Sequence, residues 1–146
     1  MSDYIEKAIK VLKKNNLRVT KPRKLVIKLL NNSNEALSAY EIKDKLENKV
    51  DIVSIYRIIE CLENNKLVHR VLSSSKVMKC QLQHEDDCKH KQEHHCHHLL
   101  ICNLCGTIRE IHCEGVNSLI KSVEKNLKFK IKTHNLEFYG TCPKCD

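Results

Sequence analysis

Two cysteine pairs dominate the chemistry this chain can do. Cys102-x-x-Cys105 and Cys142-x-x-Cys145 each set two thiols at a separation that one tight turn can aim at a single ion. Zinc takes four thiolates as a tetrahedron, so the pairs together specify a four-cysteine site. Such a site has no open position for water or substrate, so it staples the fold and does not catalyse. Two other chemistries use the same spacing. A thioredoxin-like redox site needs only one pair, opening a helix; here Gly106 and the strand-prone TIREI follow the first pair. Disulfides require an oxidising compartment. The start, MSDYIEKAIK, lacks the apolar core of a signal peptide, and no run of eighteen apolar residues exists. These features predict a cytoplasmic chain without a membrane span, in which clustered cysteines hold metal.

Further ligands remain: His69, Cys80, His95 in the run His94-His95-Cys96-His97-His98, and Glu110, with His84, Asp86, Asp87, Cys88 and His90 in a polar stretch between them. They are unevenly placed, for only Cys61 and His69 precede Cys80 among the nine cysteines and nine histidines. Charge is divided the other way. Residues 1–80 hold 17 Lys/Arg against 9 Asp/Glu and carry the whole net charge of +8, whereas residues 81–146 hold 9 of each. A basic half suits a polyanion. A metal-dependent hydrolase needs an open zinc position and a general base, but neither HExxH nor a glycine-rich phosphate loop is present. A zinc-ribbon interaction module would bind metal without controlling any affinity for DNA.

The elements that position these residues follow from periodicity. Ile5, Ala8, Ile9 and Leu12 repeat at helical spacing. Thr20 caps a second helix to about Asn31, with Pro22 in its first turn. Ser38 and Glu41 form a capping box for a short third helix. Ile52, Ile55, Ile59 and Leu62 give a fourth helix one apolar face, with Ser54, Arg57, Cys61 and Asn64 opposite. LVHRVL and KVMKCQL, joined by three serines, read as a hairpin. Helices followed by a hairpin make a winged helix-turn-helix, with the fourth helix as reader. Residues 83–97 read as a hinge loop. Beyond it LLIC and TIREI form two strands, Val116 to Leu127 an amphipathic helix, and FKIKT a strand leading into LEFYG. The expected class is α+β: a winged-helix DNA-binding domain at 1–82, the His/Cys-rich hinge at 83–97, and a small dimerisation and metal-binding domain at 98–146.

The order of these motifs resembles the ferric uptake regulator family of bacterial metal-sensing repressors. The resemblance rests on Arg18-Val-Thr20-Lys-Pro-Arg23, Ser54-Ile-Tyr56-Arg57, the histidine-rich lead into Leu100-Ile-Cys102-x-x-Cys105-Gly106, and Tyr139-Gly140-x-Cys142-x-x-Cys145. Ser38-Ala-Tyr40-Glu, Val68-His69-Arg-Val, Cys80 and Cys113-Glu-Gly-Val116 make it most similar to the zinc uptake regulator branch. The iron- and peroxide-sensing branches carry a histidine where Ala36 stands. The resemblance implies a sensor zinc on His69, Cys80, His95 and Glu110. The segment from Cys80 to His95 is about seven residues longer than in related regulators, so His84, Cys88 or His90 are competing ligands. A third family site maps to Cys96, His98 and His134, with Glu114 near the position where Asn117 replaces the expected carboxylate. Two zinc ions per subunit follow, and three if that last site fills.

The resemblance also implies a homodimer on palindromic double-stranded DNA, with no catalysis. Arg57 is the expected base contact, to guanine. Tyr56, Thr20, Lys21 and Arg23 are expected to position phosphates, Ser54 is expected among the DNA-binding residues, and Lys76 on the wing is expected to touch backbone or minor groove. A thiolate in the sensor site favours zinc or Cu(I) over iron and manganese. Zinc binding is expected to favour repression of zinc uptake genes. The family's iron- or peroxide-sensing function is the rival reading.

Overall fold

The computed structural model describes residues 3–81, 97–112, 114–132 and 134–146. The chain divides into two compact units, Met1–Cys80 and Gln81–Asp146. Among the described residues no helix is long and apolar enough to cross a membrane.

The first unit is built from α1 (Asp3–Lys14), α2 (Lys21–Asn32), α3 (Ala39–Lys45), α4 (Ile52–Asn64) and the hairpin β1 (Val68–Val71) with β2 (Lys76–Lys79). Each helix start after α1 has a side-chain cap that satisfies an otherwise orphaned amide. Thr20 accepts from Arg23 N, the Ser38–Glu41 box is closed in both directions, and Asp51 accepts from Ser54 N. One apolar face of every helix meets in a common core containing Leu12, Ile27, Leu30, Ile42, Ile55 and Leu62, all essentially inaccessible to water. The hairpin is antiparallel, pairing Val68 with Lys79 and His69 with Met78. Leu37 and Val77 exchange two backbone hydrogen bonds of 2.8 Å, adding a third short partner beside the hairpin. This is the expected winged helix-turn-helix. One face assignment needs correcting. Cys61 packs half-buried against the core rather than lying on the solvent side of α4, and Ile58 joins the buried face. The exposed face is Val53, Tyr56, Arg57, Glu60 and Asn64, a helical stripe displaced from the one the apolar pattern suggests.

The second unit holds β3 (His97–Cys102), β4 (Ile108–His112), α5 (Glu114–Leu127) and β5 (Glu137–Gly140), in sheet order β4-β3-β5. β4 returns antiparallel to β3 through the first cysteine turn, where Gly106 takes φ +71°, a left-handed conformation that glycine tolerates without a Cβ penalty. β5 lies parallel to β3, with Cys102 opposite Gly140. The expected strand at FKIKT is not formed. Residues 129–132 are irregular, and Ile131 N donates to Glu124 Oε1 at 2.8 Å instead of to a neighbouring strand. Phe129 is exposed, so the alternation is not matched by a buried face.

Candidate metal centre and nucleic-acid face

Parallel pairing of β5 with β3 explains why cysteines 40 residues apart in sequence meet. With Gly140 beside Cys102, the next two residues carry Cys142 to the same end of the sheet as the first cysteine turn. Asn103 N donates to Gly140 O at 2.8 Å, and Cys142 N to Cys102 Sγ at 3.4 Å. The four sulfurs of Cys102, Cys105, Cys142 and Cys145 lie within 4.8 Å of one another, and Cys105 Sγ is 3.6 Å from Cys142 Sγ. Zn–S bonds of about 2.3 Å in a tetrahedron set the sulfurs about 3.8 Å apart, so both the donor set and the spacing fit zinc.

The electrostatics of the cage are uneven. Backbone N–H groups of Cys105, Cys142 and Leu104 pointing at Cys102 draw its thiol down to about 6. Hydrogen bonding from Thr107 lowers Cys105. The neighbouring sulfurs of Cys105 and Cys142 push Cys145 up to about 12. Four thiolates this close repel one another, and a divalent cation is what allows all of them to ionise together.

A second group of ligands lies at the open end of the wing. His69 on β1 and Cys80, the residue after β2, present ligand atoms within 4.8 Å of each other, both half-buried. Leu67 O accepts from Cys80 N at 3.0 Å and from the Tyr4 hydroxyl at 2.8 Å. Burial pushes the Tyr4 phenol well above its ordinary value, with charge at Cys80 adding to the shift, so the hydroxyl stays a donor. In the second unit Glu110 projects from β4 and accepts from Gln81 N at 2.7 Å. His95 and Cys96, with His84, Cys88 and His90, lie outside the described residues. His98 and His134 come together, with ring centroids 5.4 Å apart and His98 buried. The side chain of Glu114 is outside the described ones.

The expected nucleic-acid face is exposed on α4 and at the start of α2. Arg57 and Tyr56 both face solvent, as does Lys21. Thr20 and Ser54 are engaged locally. Thr20 caps α2, and the Ser54 hydroxyl donates to Asp51 Oδ2 at 2.5 Å. Arg23 is turned back, donating to Arg18 O at 2.6 Å, which braces the turn into α2. Lys76 is held by Glu41 at 2.9 Å, so it fastens the wing to α3 as well as carrying charge. Sequence reasoning passed over Asp51 as the residue that starts α4, although an aspartate immediately before an apolar helical run is its own signal. It also passed over Tyr4 and the Glu63–Arg70 pair, whose partners are set by tertiary packing.

A winged reading head together with a unit closed by four cysteines defines the class of metal-dependent DNA-binding regulators. The ferric uptake regulator family matches residues 14–139, and the chain belongs to that family, whose members are transcription regulators and not enzymes. It is 29% identical to the ferric uptake regulation protein of Bacillus subtilis (strain 168), covering 100% of this chain and 97% of that one. It is 27% identical to the zinc uptake regulation protein of Escherichia coli (strain K12), covering 98% and 81%. Among solved structures, a zinc uptake regulator complexed with zinc and DNA matches with TM-score 0.83 at 25% identity, over 99% of this chain and 96% of that one. The ferric uptake regulator of Helicobacter pylori matches with TM-score 0.58 at 25% identity, over 97% and 91%. Within its family the chain is therefore most like the zinc uptake regulators.

Proposed function

We propose that this protein is a zinc-responsive transcriptional repressor. In this reading a homodimer binds palindromic operators when zinc occupies a sensor site formed by His69, Cys80, His95 and Glu110, and it controls zinc uptake genes. The observation that carries the reading is the His69–Cys80 pair at the root of the wing, with its two ligand atoms within 4.8 Å. An imidazole beside a thiolate is a borderline-soft donor set suited to zinc and poorly suited to iron or manganese. Likeness to a zinc uptake regulator solved with zinc and DNA supports the same assignment.

The two metal sites have separate tasks in this account. The four-cysteine cage is closed and structural. The sensor site ties the wing-borne ligands to Glu110, and any metal there shifts the protein only by binding one arrangement more tightly than another. Because thiol and imidazole must lose their protons to ligate, metal binding releases protons. A third zinc on Cys96, His98, Glu114 and His134 is the further occupancy this reading allows; the 5.4 Å approach of the two histidine rings is what supports it.

Operator binding across buffered free zinc tests the proposal, with Cys80→Ser and His95→Ala beside the wild type. Zinc is expected to raise DNA affinity in the wild type and to fail in both variants. An unchanged zinc response in the variants removes the sensor assignment. Activation by Fe(II) or Mn(II) at free concentrations where zinc is inert instead selects the iron- or peroxide-sensing function, which relatives such as the Bacillus subtilis proteins keep in view.

A further inference from the structure

We infer that Tyr4 and Lys79 are positioning residues for the wing thiolate Cys80, through which helices α1 and α2 take part in the zinc response; this rests on Cys80 being a sensor ligand. Leu67 and Cys80 are the first and last residues of the wing's closure, joined by Cys80 N to Leu67 O at 3.0 Å. The same carbonyl accepts the Tyr4 hydroxyl at 2.8 Å, across 63 residues of sequence. One acceptor therefore locks a residue of α1 and the backbone of the thiolate ligand to a common point. Lys79, the residue before Cys80, reaches the other way. Its ammonium donates to Asn31 O at 2.6 Å, in the last turn of α2, where the helix's terminal carbonyls attract a cation. That same ammonium stands 6.0 Å from the centre of the Tyr4 ring. α1, α2 and both open ends of the wing thus meet around the peptide that carries the sulfur.

A ligand held this way is presented in one place before metal arrives. Groups that orient metal ligands without touching the metal commonly govern affinity by about 10–100-fold. Removing only the Tyr4 hydroxyl leaves the ring packed while Leu67 O keeps its bond from Cys80, so the fold survives and the sulfur is less fixed. Wing packing alone gives a different expectation, namely lower thermal stability with an unchanged metal response.

The test compares Tyr4→Phe, Lys79→Met and Cys80→Ser with the full-length wild type. Three readouts are taken: the free zinc giving half-maximal operator binding, Tm, and the sulfur-to-cobalt charge-transfer band with Co(II) as probe. Tyr4→Phe and Lys79→Met are each expected to raise the zinc midpoint by about tenfold and to alter the cobalt band. Operator affinity of Tyr4→Phe at saturating zinc should match the wild type. Wild-type midpoints in both variants, with the response lost in Cys80→Ser, overturn the positioning role and leave the sensor reading standing. A fall in Tm with an unmoved midpoint overturns it too, as a purely structural contact. A wild-type response in Cys80→Ser overturns the sensor reading and this inference with it.

Discussion

Each cysteine of the C-terminal cage is controlled by its immediate surroundings, and the differences have consequences. Cys102 is buried and fed by backbone N–H donors, including that of Cys142, so its thiolate is stabilised before any metal binds. Cys142 lies just past β5, and its amide and sulfur both reach the partner pair. A second unit of this size has a small core and depends on such a staple. Cys142→Ser is expected to remove one zinc per chain, by metal analysis, and to unfold the second unit at temperatures where the wild type is native. A loss of about 3 kcal/mol alone lowers Tm by more than about 10 °C in a domain this small. On the proposed nucleic-acid face, Arg57 and Lys21 should separate cleanly. Arg57→Ala is expected to relax sequence preference at one position, at a cost of about 1–3 kcal/mol for the preferred operator. Lys21→Ala should weaken all DNA alike and reduce the slope of log affinity against log salt by about 0.9. Affinity titrations on operator and scrambled DNA at several salt concentrations distinguish them. The ligand types and the cap residues Thr20 and Ser38 were readable from the sequence because their chemistry is local. The Tyr4 hydroxyl bond to Leu67 was not, because nothing near residue 4 announces a carbonyl 63 positions away.

Among the elements, the wing is the one most heavily tied down. Every helix of the first unit gives it a polar contact. Tyr4 of α1 reaches Leu67, Asn31 of α2 takes Lys79, Glu41 of α3 takes Lys76 at 2.9 Å, and Glu63 of α4 takes Arg70 at 2.8 Å. Glu41 serves twice, since it also closes the capping box of α3. The Ser38 backbone N–H, then Lys76, hold its carboxyl down at about 2. A carboxylate lowered from an ordinary 4.5 stabilises the fold above that value, and this contribution disappears as pH falls through about 2. The Tm advantage of the wild type over Glu41→Gln is therefore expected to be constant above about pH 5 and to shrink toward zero near pH 2. The pair is half-exposed, so the difference is small. A gap that widens as the solution is acidified contradicts this assignment. At this scale the helices and the hairpin were legible, because amphipathic periods of about 3.6 report burial directly. Alternation in FKIKT was misleading. A period of two says that a strand is compatible with the sequence, but not that the segment pairs, and residues 129–132 join no described ladder.

For the whole molecule, the division of charge and ligands along the chain sets the energetics of control. The basic excess of residues 1–80 supplies affinity for any DNA, which is electrostatic and indifferent to sequence. In the proposed function, metal control is added on top as a difference between two states, since a cation of charge two contributes little to a surface already carrying an excess of eight. Such coupling is typically about 1–3 kcal/mol, or roughly 5–150-fold, and it is reciprocal. If zinc tightens operator binding by a given factor, operator must tighten zinc by that factor. The experiment uses chelators strong enough to strip the proposed sensor site yet too weak to empty the four-cysteine cage, so the second unit stays folded throughout. Zinc affinity is then measured alone, with operator, and with scrambled DNA. The operator-bound protein is expected to hold zinc more tightly by the same ratio found in the DNA titrations, and scrambled DNA should produce less of the effect. Equal zinc affinity with and without operator, beside a large zinc effect on DNA, would break the thermodynamic cycle for a single linked ion. Zinc would then have to act through another equilibrium, such as subunit association, which dilution of the protein would expose as a concentration-dependent midpoint.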